Sequence, residues 1–281
     1  MKSSNQYIEK ELAGFYPDTE IEGFKRIIFD FVCGWGFTEQ VLKKHEIVSP
    51  IDFDKIESIV LRLKDYEPIQ YILGETEFYG LKLIVNPSVL IPRPETEELV
   101  DWVVHSKLPE KCTILDVGTG SGCIALAIKN QLKNAKVSGI DISGEAIEIA
   151  RQNAIENGIE VSFSSANIFN VSSEMNGKYD VIVSNPPYIR ESEKVQMHSN
   201  VLNHEPEIAL FVPDTDPLRF YIAIAGFAKN NLRENGRLFF EINENLGTEM
   251  TDLLVNLGFN QIEIRKDING KNRMVSCVIG I

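Results

Sequence analysis

A chain of 281 residues, 43% apolar and 25% charged, is long enough for two domains and has the balance of an ordinary folded globular protein. Its net charge of −13 weighs against a partner gripped by its phosphate backbone, which calls for a basic face, and favours a protein or small-molecule partner. No run approaches the ~20 apolar residues of a membrane span. The opening Met1-Lys2-Ser3-Ser4-Asn5-Gln6 has no apolar leader segment, and Cys33, Cys112, Cys123 and Cys277 form no CxxC pair; free thiols in a reducing cytoplasm and no metal are therefore expected.

Residues 1–74 read as a small bundle of short helices. Ile27, Ile28, Phe31 and Val32, and again Ile56, Ile59, Val60 and Leu63, recur with helical spacing, and Thr38 and Asp52 stand where N-caps would. Breaks fall at Tyr16-Pro17-Asp18, Gly34-Trp35-Gly36 and Ser49-Pro50, and His45 sits in a charged surface run with Lys43, Lys44 and Glu46. Residues 75–92 change character: Thr76–Val85 predicts a hairpin turning near Gly80, followed by the stiff punctuation of Asn86-Pro87 and Ile91-Pro92-Arg93-Pro94, and this reads as a linker between domains.

From residue 93 to 281 strands alternate with helices, which implies a mostly parallel sheet covered on both faces. Strands are expected at Thr113–Val117, Lys136–Ile140, Val161–Ser164, Asp180–Ser184, Arg237–Ile242, Gln261–Arg265 and Met274–Ile279, with helices over 95–106, 123–132, 144–157, 217–232 and 246–257. Ser143 caps the third of these helices and Gly158 ends it. The last two strands follow each other with no helix between them, which predicts an antiparallel hairpin at the sheet edge.

Three features carry chemistry. The strand Ile114–Val117 runs into Gly118-Thr119-Gly120-Ser121-Gly122, a G-x-G-x-G turn that departs from the G-x-G-x-x-G of dinucleotide folds because position 123 is Cys. The next strand ends in Asp141, either a helix-capping acid or a carboxylate able to accept both hydroxyls of a ribose. Finally, the apolar run Val181-Ile182-Val183 stops at Ser184-Asn185-Pro186-Pro187-Tyr188. Two prolines cannot continue a ladder, so they leave a rigid corner with an amide, carbonyls and an aromatic ring, suited to a flat group with an NH2 to donate.

Together these residues resemble the class I S-adenosylmethionine-dependent methyltransferases, with a Rossmann-like seven-stranded sheet ending in an antiparallel hairpin. The resemblance implies that Gly118, Thr119, Gly120, Ser121 and Gly122 pass under the methionine and ribose of S-adenosylmethionine, that Asp141 with Ile142 holds the ribose, and that Asn185 borders the cofactor. Asn185-Pro186-Pro187-Tyr188 resembles the motif of enzymes that methylate planar amide or exocyclic amine nitrogens. In them the Asn185 side-chain oxygen and the Pro186 carbonyl would accept the two N–H bonds, and Tyr188 would pack on the substrate plane. Pro68–Gly74, Phe78-Tyr79-Gly80, Ile91–Glu97 and Glu205–Leu210 are similar to the signatures of the peptide chain release factor N5-glutamine methyltransferase family. Membership implies a monomer, a helical substrate-recognition domain at 1–74, and the glutamine of a Gly-Gly-Gln loop as acceptor; direct nucleic-acid contact is not expected.

One position departs from the family pattern. Where an acid and an aromatic normally flank the adenine, this chain has Ala166-Asn167-Ile168-Phe169; Asn167 still offers an acceptor and Ile168 an apolar face. Glu205 either supports the substrate pocket or caps a turn, Arg93 and Glu97 either orient the active-site edge or form a structural pair linking the domains, and His198 and His204 lack metal-ligand spacing. Three competing readings remain: glutamine methylation of a ribosomal protein, adenine N6-methylation, and a non-catalytic methyltransferase-like scaffold.

Overall fold

The computed structural model describes residues 4–43, 45–170 and 178–280. Lys44, in the charged run around His45, lies outside the described residues, as do the first three residues of the chain. The chain divides into two compact units, Met1–Gly74 with His198–His204, and Glu75–Met197 with Glu205–Ile281.

The smaller unit contains α1 (Ser4–Leu12), α2 (Asp18–Cys33), α3 (Phe37–Leu42), α4 (Pro50–Lys64) and α5 (Ile69–Leu73). Its core gathers Ile8, Leu12, Ile28, Ile56, Val60 and Leu63. The expected stripe on α2 is rotated. The buried face is Ile21, Phe24, Lys25, Ile28 and Phe29, whereas Ile27 and Phe31 are 41% and 47% exposed. Spacing alone did not find this face because a lysine sits in it. Lys25 is buried with its charge answered by Glu9 at 2.6 Å and Glu22 at 2.7 Å. The caps also shift. Ser49, not Asp52, caps α4, its hydroxyl accepting from Asp52 N at 3.1 Å, because Pro50 fits the first helical position. Gly36 rather than Thr38 precedes α3.

In the larger unit β1 (Glu75–Phe78) and β2 (Leu81–Ile84) form the antiparallel hairpin, with positive φ at both Tyr79 and Gly80 as a tight two-residue turn requires. The chain continues through α6 (Pro94–Val104), β3 (Thr113–Val117), α7 (Cys123–Gln131), β4 (Lys136–Asp141), α8 (Gly144–Glu156), β5 (Ser162–Ser165) and β6 (Tyr179–Ser184). After the short β7 (Ile189–Arg190), α9 (Ser199–His204) and β8 (Phe211–Val212) come α10 (Arg219–Asn231), β9 (Leu232–Glu241), α11 (Gly247–Asn256), β10 (Phe259–Lys266) and β11 (Asn272–Ile279). Among the described residues seven strands form one sheet in the order β10-β11-β9-β6-β3-β4-β5. There β11 runs antiparallel to both its neighbours, while the pairs β9–β6, β6–β3, β3–β4 and β4–β5 are parallel.

Strand alternation sends side chains to two cores. Ile114, Val181, Val183 and Phe239 pack with α6 and α7 on one face; Leu115, Ile182, Leu238 and Phe240 pack with α10 and α11 on the other. With both faces covered, the open C-terminal ends of the central strands are where function can be placed.

Candidate active site

A cavity of about 440 Å³ opens over the C-terminal ends of β3, β4 and β6, where the strand order runs outward in both directions from β3. Of the residues singled out from sequence, Gly118, Gly120, Asp141, Ile142, Asn167, Ile168, Asn185, Pro186 and Pro187 line it. Thr119, Ser121, Gly122 and Tyr188 do not.

The glycine loop divides its work. Gly118, Gly120 and Gly122 all have positive φ, at 71°, 53° and 81°. A Cβ at Gly118 or Gly120 would meet no protein atom within 4 Å, so what these glycines leave open is cavity. A Cβ at Gly122 would instead lie 3.0 Å from Phe163 and 3.1 Å from Ala150, so this glycine serves packing. Thr119 turns inward and donates to Asp116 Oδ2 at 2.6 Å, while Ser121 is buried. The loop is pinned from below, with Gly118 N and Thr119 N both donating to Ile140 O at 2.8 and 2.9 Å.

Asp141 holds the loop from the side. Its Oδ2 accepts from Gly120 N and its Oδ1 from Ser143 N, each at 2.9 Å. Burial raises its pKa and those backbone donors pull it back. Each oxygen keeps a lone pair for a further donor, so the acid can brace the loop and still receive hydroxyls from a ligand. Asp116, directly beneath, is fully buried; burial pushes its carboxyl up to about 7.

At the adenine end expected from sequence, Asn167 Oδ1 accepts from Phe169 N at 2.9 Å, which fixes the side chain in a local turn. Two wall residues were not singled out. The Arg219 guanidinium stacks 5.0 Å from the Phe169 centroid and 5.6 Å from that of Phe220. Nothing in the sequence links position 169 to the start of α10; only the fold does.

The corner after β6 is anchored by Ser184, whose hydroxyl donates to Val117 O at 2.6 Å and ties the ends of β6 and β3 together. Asn185 Nδ2 donates to Thr96 Oγ1 at 3.2 Å. Tyr188, expected to pack on the substrate plane, turns to the core instead: its hydroxyl donates to the buried Glu241 at 3.0 Å and its ring packs against the α10 side of the sheet. Thr96, which the Ile91–Glu97 signature contains without giving it a role, and Glu241, which no motif indicated, are further residues at this corner. Arg93 and Glu97 do not pair with each other; Arg93 binds Glu205 at 2.5 Å and Glu97 accepts from Tyr79 N at 2.7 Å. Glu205 also accepts from Ile91 N at 3.3 Å, so it staples the segment after the hairpin. Among the described residues no group of three or more His, Cys, Asp or Glu is placed to hold a metal, and no helix is long and apolar enough to cross a membrane.

The donor set suits S-adenosylmethionine: a bare glycine floor with room above it, a carboxylate for hydroxyls and an apolar wall for a flat ring. Residues 99–208 match the family described as methyltransferase small domain, and a methyltransferase structure from Pyrococcus furiosus shares the fold, with a TM-score of 0.56 at 19% identity over 80% of this chain and 98% of that one. Sheet order and cavity thus define a class I methyltransferase. The N-terminal residues 6–74 match the PrmC N-terminal domain. Proteins named release factor glutamine methyltransferase are 43% identical in Flavobacterium psychrophilum, over 98% of each chain, and 43% identical in Bacteroides thetaiotaomicron, over 98% of this chain and 99% of that one. This chain belongs to the release factor glutamine methyltransferases.

Proposed function

We propose that the protein transfers a methyl group from S-adenosylmethionine to the side-chain amide nitrogen (N5) of the glutamine in the Gly-Gly-Gln motif of peptide chain release factors. The observation that carries this reading is the Asn185 corner on the rim of a glycine-floored cavity, with the Asn185 amide NH2 already engaged by Thr96. Its oxygen end is thereby left to accept an N–H from a ligand. When bound, the cofactor supplies an electrophilic sulfonium methyl.

An amide nitrogen is a poor nucleophile because its lone pair is delocalised. Asn185 Oδ1 and the Pro186 carbonyl accept its two N–H bonds, which raises electron density on nitrogen and fixes its orientation. The prolines supply rigidity, so the clamp is held before the substrate arrives. Gly118 and Gly120 let the backbone approach the cofactor closely, Asp141 and Ile142 take the ribose, and Asn167 and Ile168 take the adenine. Residues 1–74 recognise the body of the release factor, and the enzyme works as a monomer in the cytoplasm. The match of 6–74 to the PrmC N-terminal domain supports the reading of 1–74 as a domain of its own.

Mass spectrometry of a release factor after incubation with enzyme and S-adenosylmethionine tests the reading. The loop glutamine should gain one methyl, and Asn185→Ala should slow the gain by ~10²–10³. Methylation of some other protein, with that glutamine untouched, would overturn it.

A further inference from the structure

A side-chain amide is nearly symmetric in shape and opposite in polarity at its two ends, and its terminal torsion has a broad, roughly two-fold profile. Nothing in Asn185 itself therefore decides whether oxygen or NH2 faces the cavity. An NH2 pointing at a substrate NH2 would repel it.

The neighbours decide. Thr96, in the first turn of α6, and Glu241, at the end of β9, are only 2% and 1% exposed. Thr96 has one hydroxyl proton, and it goes to Glu241 Oε2 at 2.7 Å. What the hydroxyl has left is lone pairs, so toward Asn185 it can only accept, and it accepts from Nδ2 at 3.2 Å. Glu241 is fixed in turn. Its Oε1 accepts from Tyr188 at 3.0 Å, and its backbone carbonyl accepts from Tyr221 at 3.1 Å. The same tyrosine that closes the Asn-Pro-Pro-Tyr corner thus holds the carboxylate that orients the asparagine opening it. Burial raises the Glu241 pKa, and the Thr96 and Tyr188 hydrogen bonds with the Arg273 charge pull it back toward the ionised form, which can only accept.

We propose that Thr96 and Glu241 are positioning residues: a one-way hydrogen-bond relay, from Thr96 to Glu241, that locks the Asn185 amide with its oxygen toward the substrate nitrogen. Reversing the relay reverses the amide. In Glu241→Gln the new NH2 can donate to Thr96, whose proton then turns to Asn185 and draws its oxygen away from the cavity. The inference rests on the reading of Asn185 as an amide clamp.

The test is steady-state methylation of a release factor, with cofactor affinity by calorimetry and melting temperature as controls. Wild-type transfer to the loop glutamine is required first, and its absence would sink the clamp reading itself rather than the relay. Given transfer, Thr96→Val should lower kcat by about tenfold to a hundredfold through an orphaned buried donor, with Thr96→Ser recovering most of it. Glu241→Gln should lower kcat similarly, with cofactor affinity unchanged. The decisive measurement adds Asn185→Asp, which offers an acceptor at both ends. It should be at least tenfold less damaging when combined with Glu241→Gln than when Glu241 is intact, and this coupling should vanish once Thr96→Val is also present. Coupling that persists in the presence of Thr96→Val would be plain charge repulsion and would overturn the relay. Wild-type kcat in Thr96→Val, or a Thr96→Ser no better than Thr96→Val, would overturn it too.

Discussion

Asp116 lies under the glycine loop with Oδ2 held by Thr119 and with Oδ1 buried without a hydrogen-bond partner among the described residues. Burial lifts its pKa from 3.8 to about 7. The folded state therefore holds this proton more tightly than the unfolded chain. The stability it contributes is complete below about pH 4 and is lost as pH rises through about 7, at no more than ~1.4 kcal/mol per pH unit. Asp116→Asn should flatten that fall, and urea titrations at pH 4 to 8 would show it; an unchanged slope would assign the proton elsewhere. At Asn185 the expectation concerns rate: Asn185→Ala should cut kcat by ~10²–10³ while cofactor affinity, measured calorimetrically, holds. Site candidates contiguous in sequence were only partly legible as motifs: of Gly118–Gly122 and Asn185–Tyr188, Gly118, Gly120, Asn185, Pro186 and Pro187 line the cavity, while Thr119, Ser121, Gly122 and Tyr188 do not. The supports were not legible. Thr96, Asn185 and Glu241 belong to three distant segments, and Arg219 reaches Phe169 only because α10 packs beside the turn after β5.

At the scale of elements, β3, β6, β11 and the second half of β9 were readable because strands buried on both faces are dense in Val, Ile, Leu and Phe, whereas the edge strands β5 and β10 bury one residue each. The helices of the larger unit followed from the spacing between them. The helix face in α2 was not readable, because Lys25 occupies a core position that only Glu9 and Glu22 make tolerable. Lys25→Met should therefore be tolerated or mildly stabilising in thermal denaturation, whereas Glu9→Ala with Glu22→Ala should destabilise by leaving the ammonium unpaired. The start of α7 makes a sharper demand. Gly122→Ala adds a Cβ 3.0 Å from Phe163 at a φ of 81°, which should cost ~1–3 kcal/mol and lower the melting temperature by several degrees. If melting is unaffected, α8 and β5 give way more easily than their packing indicates.

For the whole molecule, a charge of −13 argues that the acceptor is not a duplex. Fluorescence anisotropy at ~0.15 M salt should show no saturable binding of duplex DNA, and steeply salt-dependent binding would revive the base-methylation reading. The assignment of His198–His204 to the smaller unit means that the chain passes between units three times, after Gly74, Met197 and His204. That topology constrains the order in which the protein can be made. During synthesis the first 74 residues emerge early, but the unit they belong to lacks a segment, including the His204 ring that contacts Asp65 O at 3.2 Å, until residue 204 has been added. None of that segment's residues belongs to the core of Ile8, Leu12, Ile28, Ile56, Val60 and Leu63, so the N-terminal helices can pack first and His198–His204 joins them later.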